Sequence, residues 1–151
     1  MKHKQCLKVC MEKDERFIFL IGQARHRLFT RLDKTLIEKA GVTASQSGAL
    51  YYLLDNNGCL LSELSRALML DKSAITGLVD RLEKKGLAER RLAPADRRAI
   101  NIYLTEAGFS AAERCLQVTK EYNSAIKEGL SQEEIEYFSR ILQKIISRFS
   151  E

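Results

Sequence analysis

Apolar residues recur at intervals of four and seven in the first third of the chain. They are Phe17, Ile21, Leu28, Leu32 and Leu36. This spacing places the five side chains on one face of a helix. The pattern stops at the pair Ala40-Gly41, so we predict a long first helix that ends there.

A capping signal follows directly. Thr43 is followed three residues later by Gln46, which is the spacing of a capping box at the start of a helix. We predict a second helix that runs from this point to about Asp55. The turn-forming residues Asn56–Gly58 end it, because asparagine and glycine favour turns.

Two further short elements lead to a fourth helix. Residues Cys59–Leu61 are predicted to be extended, and Ser62 is predicted to cap a third helix, Glu63 to about Leu68. Asp71 is a plausible N-cap for a fourth helix, Lys72–Lys85. Short connections therefore join the second helix to the third and the third helix to the fourth.

The fourth helix has one narrow apolar stripe, and its polar residues lie elsewhere around it. The stripe consists of Ile75, Leu78, Val79 and Leu82. These positions follow the i, i+3, i+4, i+7 spacing of a buried helix face. Gly86 is predicted to terminate the helix.

After Gly86 the apolar period changes from 3.6 to 2, which indicates strands. The candidates are Leu87–Leu92 and Ala99–Leu104, with the basic segment 93–98 as the tip of a hairpin. Thr105 is predicted to cap a long helix that ends near Gly129.

The last helix begins with a second capping box. Ser131 and Glu134 have the required spacing, and the helix is predicted to continue to about Phe149. The element order favours a mainly α fold with a small β-hairpin wing, which is a winged helix-turn-helix core with N- and C-terminal dimerisation helices. We divide the chain into residues 1–41, an N-terminal arm and helix for dimerisation; 42–106, the DNA-binding domain; and 107–151, C-terminal dimerisation helices.

Composition supports a globular chain. Of 151 residues, 45% are hydrophobic and 30% are charged, and the formal net charge is +5, which alone does not establish a nucleic-acid partner. There is neither a membrane-spanning apolar run nor a secretory signal pattern, so we expect a soluble, cytoplasmic protein with no membrane partner. Four cysteines are too few for a disulfide scaffold, and free thiols are expected.

Several segments resemble the MarR family of bacterial and archaeal transcriptional regulators. They are Leu61–Ser65, Leu70–Thr76, Leu78–Leu87, Pro94–Ala99 and Leu104–Gly108. The resemblance is strong over residues 43–108, and outside them only the helical pattern agrees. It implies a dimeric DNA-binding protein that places its fourth helix in the major groove and its wing in the flanking minor grooves. Gly77 departs from the family pattern, since many relatives carry a longer side chain there.

The wing tip carries the first set of candidate DNA contacts. The family pattern Asp-x-Arg falls on Asp96 and Arg98, and the resemblance implies that Arg98 enters the minor groove while Asp96 orients it. A narrow minor groove concentrates negative potential that a guanidinium can meet. Arg97 is a candidate phosphate contact, supported by Arg90 and Arg91. The alternative is a solvated basic turn.

The fourth helix carries the second set. Lys72 and Ser73 lie in its first turn, where free N–H groups favour a phosphate, and Thr76 can contact a base edge or a thymine methyl group. Arg81 can reach a guanine or a phosphate. At Gly77, either close approach of the backbone to DNA compensates for the loss of helix propensity, or the glycine is simply tolerated. For Ser73 and Thr76 the alternative is ordinary helix surface.

Two apolar stripes in the terminal helices exceed what one small core can cover. They contain Phe17, Leu20, Ile21, Ile135, Phe138, Leu142, Ile145 and Phe149. We predict a two-fold homodimer that buries them, with packing inside one chain as the alternative. Such a dimer matches a pseudo-palindromic operator in double-stranded DNA.

The resemblance also implies release from DNA by a small, often phenolic, anion. Arg16, Arg25, His26 and Tyr51 are candidate polar lining for its pocket. Two alternatives remain, namely a thiol-based redox sensor that uses Cys6 and Cys10, and a non-enzymatic protein–protein adaptor on the same scaffold.

Enzyme, metal and cofactor signals are missing from the sequence. There is no nucleophile elbow and no phosphate-binding glycine loop, and the two histidines, His3 and His26, belong to no zinc-binding pattern. We therefore expect no enzymatic activity, no metal and no cofactor. Cys59 and Cys115 are expected to be buried small hydrophobic residues.

Overall fold

The computed structural model describes residues 16–92 and 99–150. Six helices lie within these residues: α1 Phe17–Ala40, α2 Ala44–Asp55, α3 Leu61–Ala67, α4 Lys72–Lys84, α5 Glu106–Lys127 and α6 Gln132–Arg148. The strands are β1 Cys59–Leu60, β2 Ala88–Leu92 and β3 Ile100–Leu104. The chain divides into two compact units, one up to Val118 and the other from Thr119 onward. The functional division into three segments stays a prediction.

The capping chemistry predicted from the sequence is confirmed at three helices. At α2, Thr43 Oγ1 accepts from the N–H of Gln46 at 3.3 Å, and Gln46 Oε1 accepts from the N–H of Thr43 at 3.1 Å. At α4, Asp71 Oδ1 accepts from the N–H of Ala74 at 2.8 Å. The same reciprocal pair forms at α6 between Ser131 and Glu134. Each cap satisfies backbone donors that have no partner inside the helix.

The predicted start of α3 is wrong. The sequence indicated a cap at Ser62 and a helix from Glu63, but α3 begins at Leu61 with Leu60 as its N-cap. The Glu63 carboxylate accepts from the N–H of Leu60 at 2.8 Å. Because glutamate at the third helical position binds back to the N-cap amide, this bond fixes the start two residues earlier.

The sheet has three antiparallel strands in the order β1-β3-β2, rather than the two predicted. Ile102 of β3 is paired with Cys59 of β1 on one side and with Arg90 of β2 on the other. The segment predicted as merely extended is therefore an edge strand. A two-residue strand is too short to show an alternating pattern, so the sequence gives no sign of this pairing.

The core of the first unit lies under α4. The predicted stripe is confirmed, since Ile75, Leu78, Val79 and Leu82 are all buried. Other buried side chains of this unit come from the neighbouring helices and from β3, among them Leu36, Leu50, Leu53, Leu64 and Ile102. Each such side chain contributes about 1.5–3 kcal/mol on burial. This burial fixes which face of α4 points outward.

The turn between α3 and α4 contains no glycine. Met69 lies in the left-handed region with φ of 52°, and its side chain is 90% exposed. Residues other than glycine rarely adopt this backbone conformation. The connection between α3 and α4 therefore holds a methionine in a backbone conformation that usually belongs to glycine.

The start of α5 packs directly on the residues that precede β2. Thr105 donates through its N–H to the Leu87 carbonyl at 3.2 Å and through Oγ1 to the Gly86 carbonyl at 2.6 Å. Gly108 follows in the first turn and is buried, and a Cβ atom there would lie 1.9 Å from the Leu87 oxygen. Only glycine permits this approach. None of the helices in the described residues has the length and apolarity needed to cross a membrane.

Candidate nucleic-acid interface

The outward face of α4 carries the predicted helix contacts. Lys72, Ser73 and Arg81 are exposed, while Thr76 and Gly77 are partly buried. Thr76 Oγ1 donates to the Lys72 carbonyl at 2.6 Å, so its methyl group and its acceptor capacity remain for a ligand. The structure thus brings the five predicted residues onto one helix whose opposite side is buried in the core.

Arg90 of β2 lies against α4 rather than in solvent. Its guanidinium forms ion pairs with Asp80, at 2.7 Å, and with Glu83. The same group donates to the Thr76 carbonyl at 3.1 Å, and Glu83 also accepts from the Arg90 N–H at 2.9 Å. The side chain of Arg90 is only 22% exposed. These contacts join the wing to α4, and we call Arg90, Thr76, Asp80 and Glu83 the wing clamp.

Arg91, the next residue of β2, has a different environment. Its side chain is 60% exposed and forms an ion pair with Glu89. The guanidinium also lies 4.5 Å from the ring centroid of Tyr103, a cation–π arrangement that orients it. Arg91 therefore presents its charge outward along the wing.

The tip of the wing lies outside the described residues, and with it the predicted contacts Asp96, Arg97 and Arg98. The strands on either side of the tip are paired up to Leu92 and Ile100. The role of the three tip residues stays a prediction.

Sequence reasoning missed a second polar connection, at the other end of α4. Lys85 Nζ donates to the Gly41 carbonyl at 2.5 Å and to Gln46 Oε1 at 3.1 Å. It thereby ties the C-terminal end of α4 to the end of α1 and to the start of α2. No sequence signal marks this contact, because its partners lie 39 and 44 residues away. The pairing of Asp80 and Glu83 with Arg90 was missed as well. Its only sequence signal was the i, i+3 spacing of the two acids on α4.

Of the four predicted effector residues, Arg16 lies apart from Arg25 and His26, and the role of all four stays a prediction. Arg16, Arg25 and His26 are exposed along α1, and the helical rise places Arg16 about 14 Å from Arg25 along the axis. The Arg25 guanidinium lies 5.8 Å from the Phe29 ring, and Tyr51 is half-buried on α2. A cavity of about 470 Å³ lies elsewhere, lined by Leu60, Leu61, Ser62, Ser65, Lys72, Ile75, Ala99 and Ile100.

The two described cysteines are poor candidates for reactive thiols. Cys115 is buried as predicted, but Cys59 is only half-buried, which corrects the prediction for that residue. Burial raises the pKa of both thiols, and the Glu63 charge raises that of Cys59 further. A raised pKa lowers the fraction of reactive thiolate. Cys6 and Cys10 lie outside the described residues, which themselves contain no cluster of three potential metal ligands.

The predicted dimerisation stripes are exposed in each unit. In the first unit, Phe17, Leu20 and Ile21 of α1 are between 45% and 66% exposed. In the second unit, no residue of α6 is buried, and its apolar side chains Phe138, Leu142, Ile145 and Phe149 are all exposed, while Ile135 is half-buried. Exposed apolar side chains that cluster on one helix face mark interaction sites.

Two short helices, α3 and α4, followed by a β-hairpin against which α4 is braced, define a winged helix-turn-helix protein. Residues 40–99 match the family model described as "MarR family". The chain is 30% identical to the uncharacterized HTH-type transcriptional regulator YsmB of Bacillus subtilis, over 74% of this chain and 77% of that protein. It is 27% identical to the HTH-type transcriptional repressor IacR of Pseudomonas putida, over 80% and 72% of the two chains.

A solved structure agrees with these relatives. A mutant MarR from E. coli, complexed with operator DNA, superposes with a TM-score of 0.72 at 27% identity, covering 87% of this chain and 96% of that one. The chain belongs to the MarR family of transcriptional regulators. The family and the winged-helix class predicted from the sequence are thereby confirmed.

Gly77 offers a test that separates its two interpretations. Replacing it by alanine should raise the free energy of unfolding by about 0.5–1 kcal/mol, the usual gain in helix propensity. A Cβ atom there meets only Arg81 Nη1, at 3.4 Å, which is the mobile end of a flexible side chain. Urea unfolding followed by circular dichroism measures the change, and a loss of stability would contradict it. Weaker DNA binding by the stabilised variant indicates close backbone approach, and unchanged binding indicates a tolerated glycine.

Proposed function

We propose that this protein is a homodimeric repressor that binds a short pseudo-palindromic operator in double-stranded DNA. One observation carries the proposal: α4 buries Ile75, Leu78, Val79 and Leu82 while Lys72, Ser73 and Arg81 face outward. A helix held in this way presents a polar, basic face of the width that the major groove accepts. Thr76 and Gly77 lie between these residues, so the backbone and short side chains of α4 come close to the bases.

The wing supplies the second part of the interface. Arg91 is exposed near the end of β2, and we assign it to the phosphate backbone together with Arg97. Arg98, oriented by Asp96, is assigned to the minor groove. The repressor IacR and the operator complex of MarR support a repressor that acts on an operator.

Dimerisation follows from the exposed apolar side chains of α1 and α6. An inverted operator needs two copies of α4 about one helical turn of DNA apart, roughly 34 Å. A two-fold dimer supplies this spacing and covers both stripes. We further propose that a small organic anion near Arg25, His26 and Tyr51 alters the spacing of the two α4 helices and releases the operator. The protein acts without catalysis, in the cytoplasm where its operator lies.

Selection from random duplex DNA with reduced protein, at a stated salt concentration, tests this function. We expect enrichment of an inverted repeat whose half-sites lie about one turn apart. Against that operator, Arg98→Ala should weaken binding by about 1–3 kcal/mol, whereas Arg140→Ala, which removes an exposed arginine of α6, should leave it unchanged. Binding without any enriched sequence, or no binding, would refute a specific repressor, and the second outcome would favour the protein–protein adaptor.

A further inference from the structure

We propose that Arg90 is a positioning residue of the DNA-binding site, which sets the angle between the wing and α4 and does not itself bind phosphate. This inference rests on the proposed function, since it concerns how the two DNA-contacting elements are held together. It changes the expected role of Arg90, which the sequence had grouped with the phosphate contacts of the wing.

The acceptors of the wing clamp lie along one face of α4. Thr76, Asp80 and Glu83 follow the i, i+4, i+7 spacing of a single helix face, and Arg90 contacts all three. A guanidinium has five donors in a rigid plane, so it can fix both its distance from the helix and its rotation about the helix axis. An ammonium group is a single point charge and cannot do both.

Glu83 makes the connection firmer because it binds the backbone of β2 as well as the guanidinium. Its carboxylate accepts from the Arg90 N–H at 2.9 Å, at a position where β2 is also paired with Ile102 of β3. The strand is therefore held to α4 through both main chain and side chain. A change in the clamp would therefore move β2 and, with it, the paired strand β3.

The charge around Arg90 argues against a phosphate contact. Asp80 and Glu83 both face this one guanidinium, which leaves one negative charge in excess. Their side chains are 48% and 30% exposed, so a phosphate that approached Arg90 would also meet both carboxylates. Like charges at this range repel. Arg91 has one carboxylate partner and a side chain that is 60% exposed, which suits a phosphate contact and makes it a matched control on the same strand.

Two substitutions separate positioning from phosphate binding by the direction of their effect. Arg90→Lys keeps the positive charge but loses the planar set of donors, and Glu83→Ala removes a negative charge near the DNA. If Arg90 bound phosphate, the first variant would retain affinity and the second would bind more tightly. If Arg90 positions the wing, both variants should bind the selected operator about tenfold more weakly, the equivalent of one lost side-chain contact.

The measurement is the dissociation constant for the operator, determined by fluorescence anisotropy over a range of salt concentrations. Each phosphate contact contributes about 0.9 to the slope of log affinity against log salt. Arg90→Lys and Glu83→Ala should therefore leave the slope unchanged, while Arg91→Ala should reduce it by about one contact. Thermal unfolding confirms that each variant is folded at the assay temperature, since loss of folded protein alone would lower the active fraction and not the affinity of what remains.

Hydrogen exchange of the DNA-free protein gives a second readout. Arg90→Lys should speed exchange in β2 and β3 and leave α2 unchanged, because the clamp holds only the wing. Wild-type affinity for Arg90→Lys, or tighter binding by Glu83→Ala, would overturn the positioning role while leaving the proposed function intact. Absence of any sequence-specific binding by the wild-type protein would overturn both.

Discussion

Replacing Gly108 by alanine should lower the free energy of unfolding by about 3 kcal/mol, at the upper end of what overpacking costs. Most glycine-to-alanine changes inside helices stabilise the protein by up to about 1 kcal/mol. The loss of stability expected here therefore has the opposite sign. The added Cβ would lie 1.9 Å from the Leu87 carbonyl oxygen and 3.2 Å from a methyl carbon of Leu104. The carbonyl belongs to the backbone and also accepts from the Thr105 N–H, so relief requires that α5 and β2 separate.

A matched control lies in α2. Gly48→Ala places its Cβ 3.7 Å from Leu68 Cδ2, an ordinary contact, and should stabilise by up to about 1 kcal/mol. Urea unfolding followed by far-ultraviolet circular dichroism measures both variants, since the chain has no tryptophan to serve as a probe. Equal stability of Gly108→Ala and the wild type would mean that α5 does not begin as tightly against β2 as the structure shows.

Replacing Leu142 by aspartate should convert the proposed dimer to monomers. Leu142 belongs to the apolar stripe of α6, which has no buried residue in the isolated chain. A carboxylate placed without a partner in a dimer core costs several kcal/mol, so the dimer dissociation constant should rise by about 100-fold or more. Operator affinity should fall with it, because one molecule would then contact only one half-site.

Ser147→Asp is the control for this variant. Ser147 lies on the opposite face of α6 and is exposed, and its replacement adds the same charge near the same end of the helix. Sedimentation equilibrium should show a dimer for the wild type and Ser147→Asp, and a monomer for Leu142→Asp. If the Leu142→Asp protein remained dimeric, α6 would not belong to the interface. Its apolar stripe would then pack within one chain.

Local chemistry explains what the sequence predicted well. The caps at Thr43, Asp71 and Ser131 and the termination at Gly86 each depend on residues no more than about four positions apart. Such contacts can be recognised without knowing the fold. The buried stripe of α4 was equally visible, because helical periodicity encodes which face meets the core.

The errors and omissions arise where distant segments meet. β1 pairs with a strand more than forty residues away, and Lys85 contacts the ends of two helices that precede it by about as much. The predicted phosphate contact Arg90 shows the same difficulty, because only the packing of β2 on α4 places it beside Asp80 and Glu83. Sequence alone identified these residues as basic and acidic, but it did not show which charges neutralise one another.

The left-handed Met69 determines how sharply the angle between α3 and α4 is defined. Glycine at this position would relieve conformational strain of about 1–2 kcal/mol, yet it would also admit backbone angles of either sign and widen the range of orientations open to α4. A methionine restricts that range in the unfolded chain as well as in the folded one. The turn therefore gives up some stability in return for angular precision, and that precision is carried to α4, the helix that we propose to lie in the major groove.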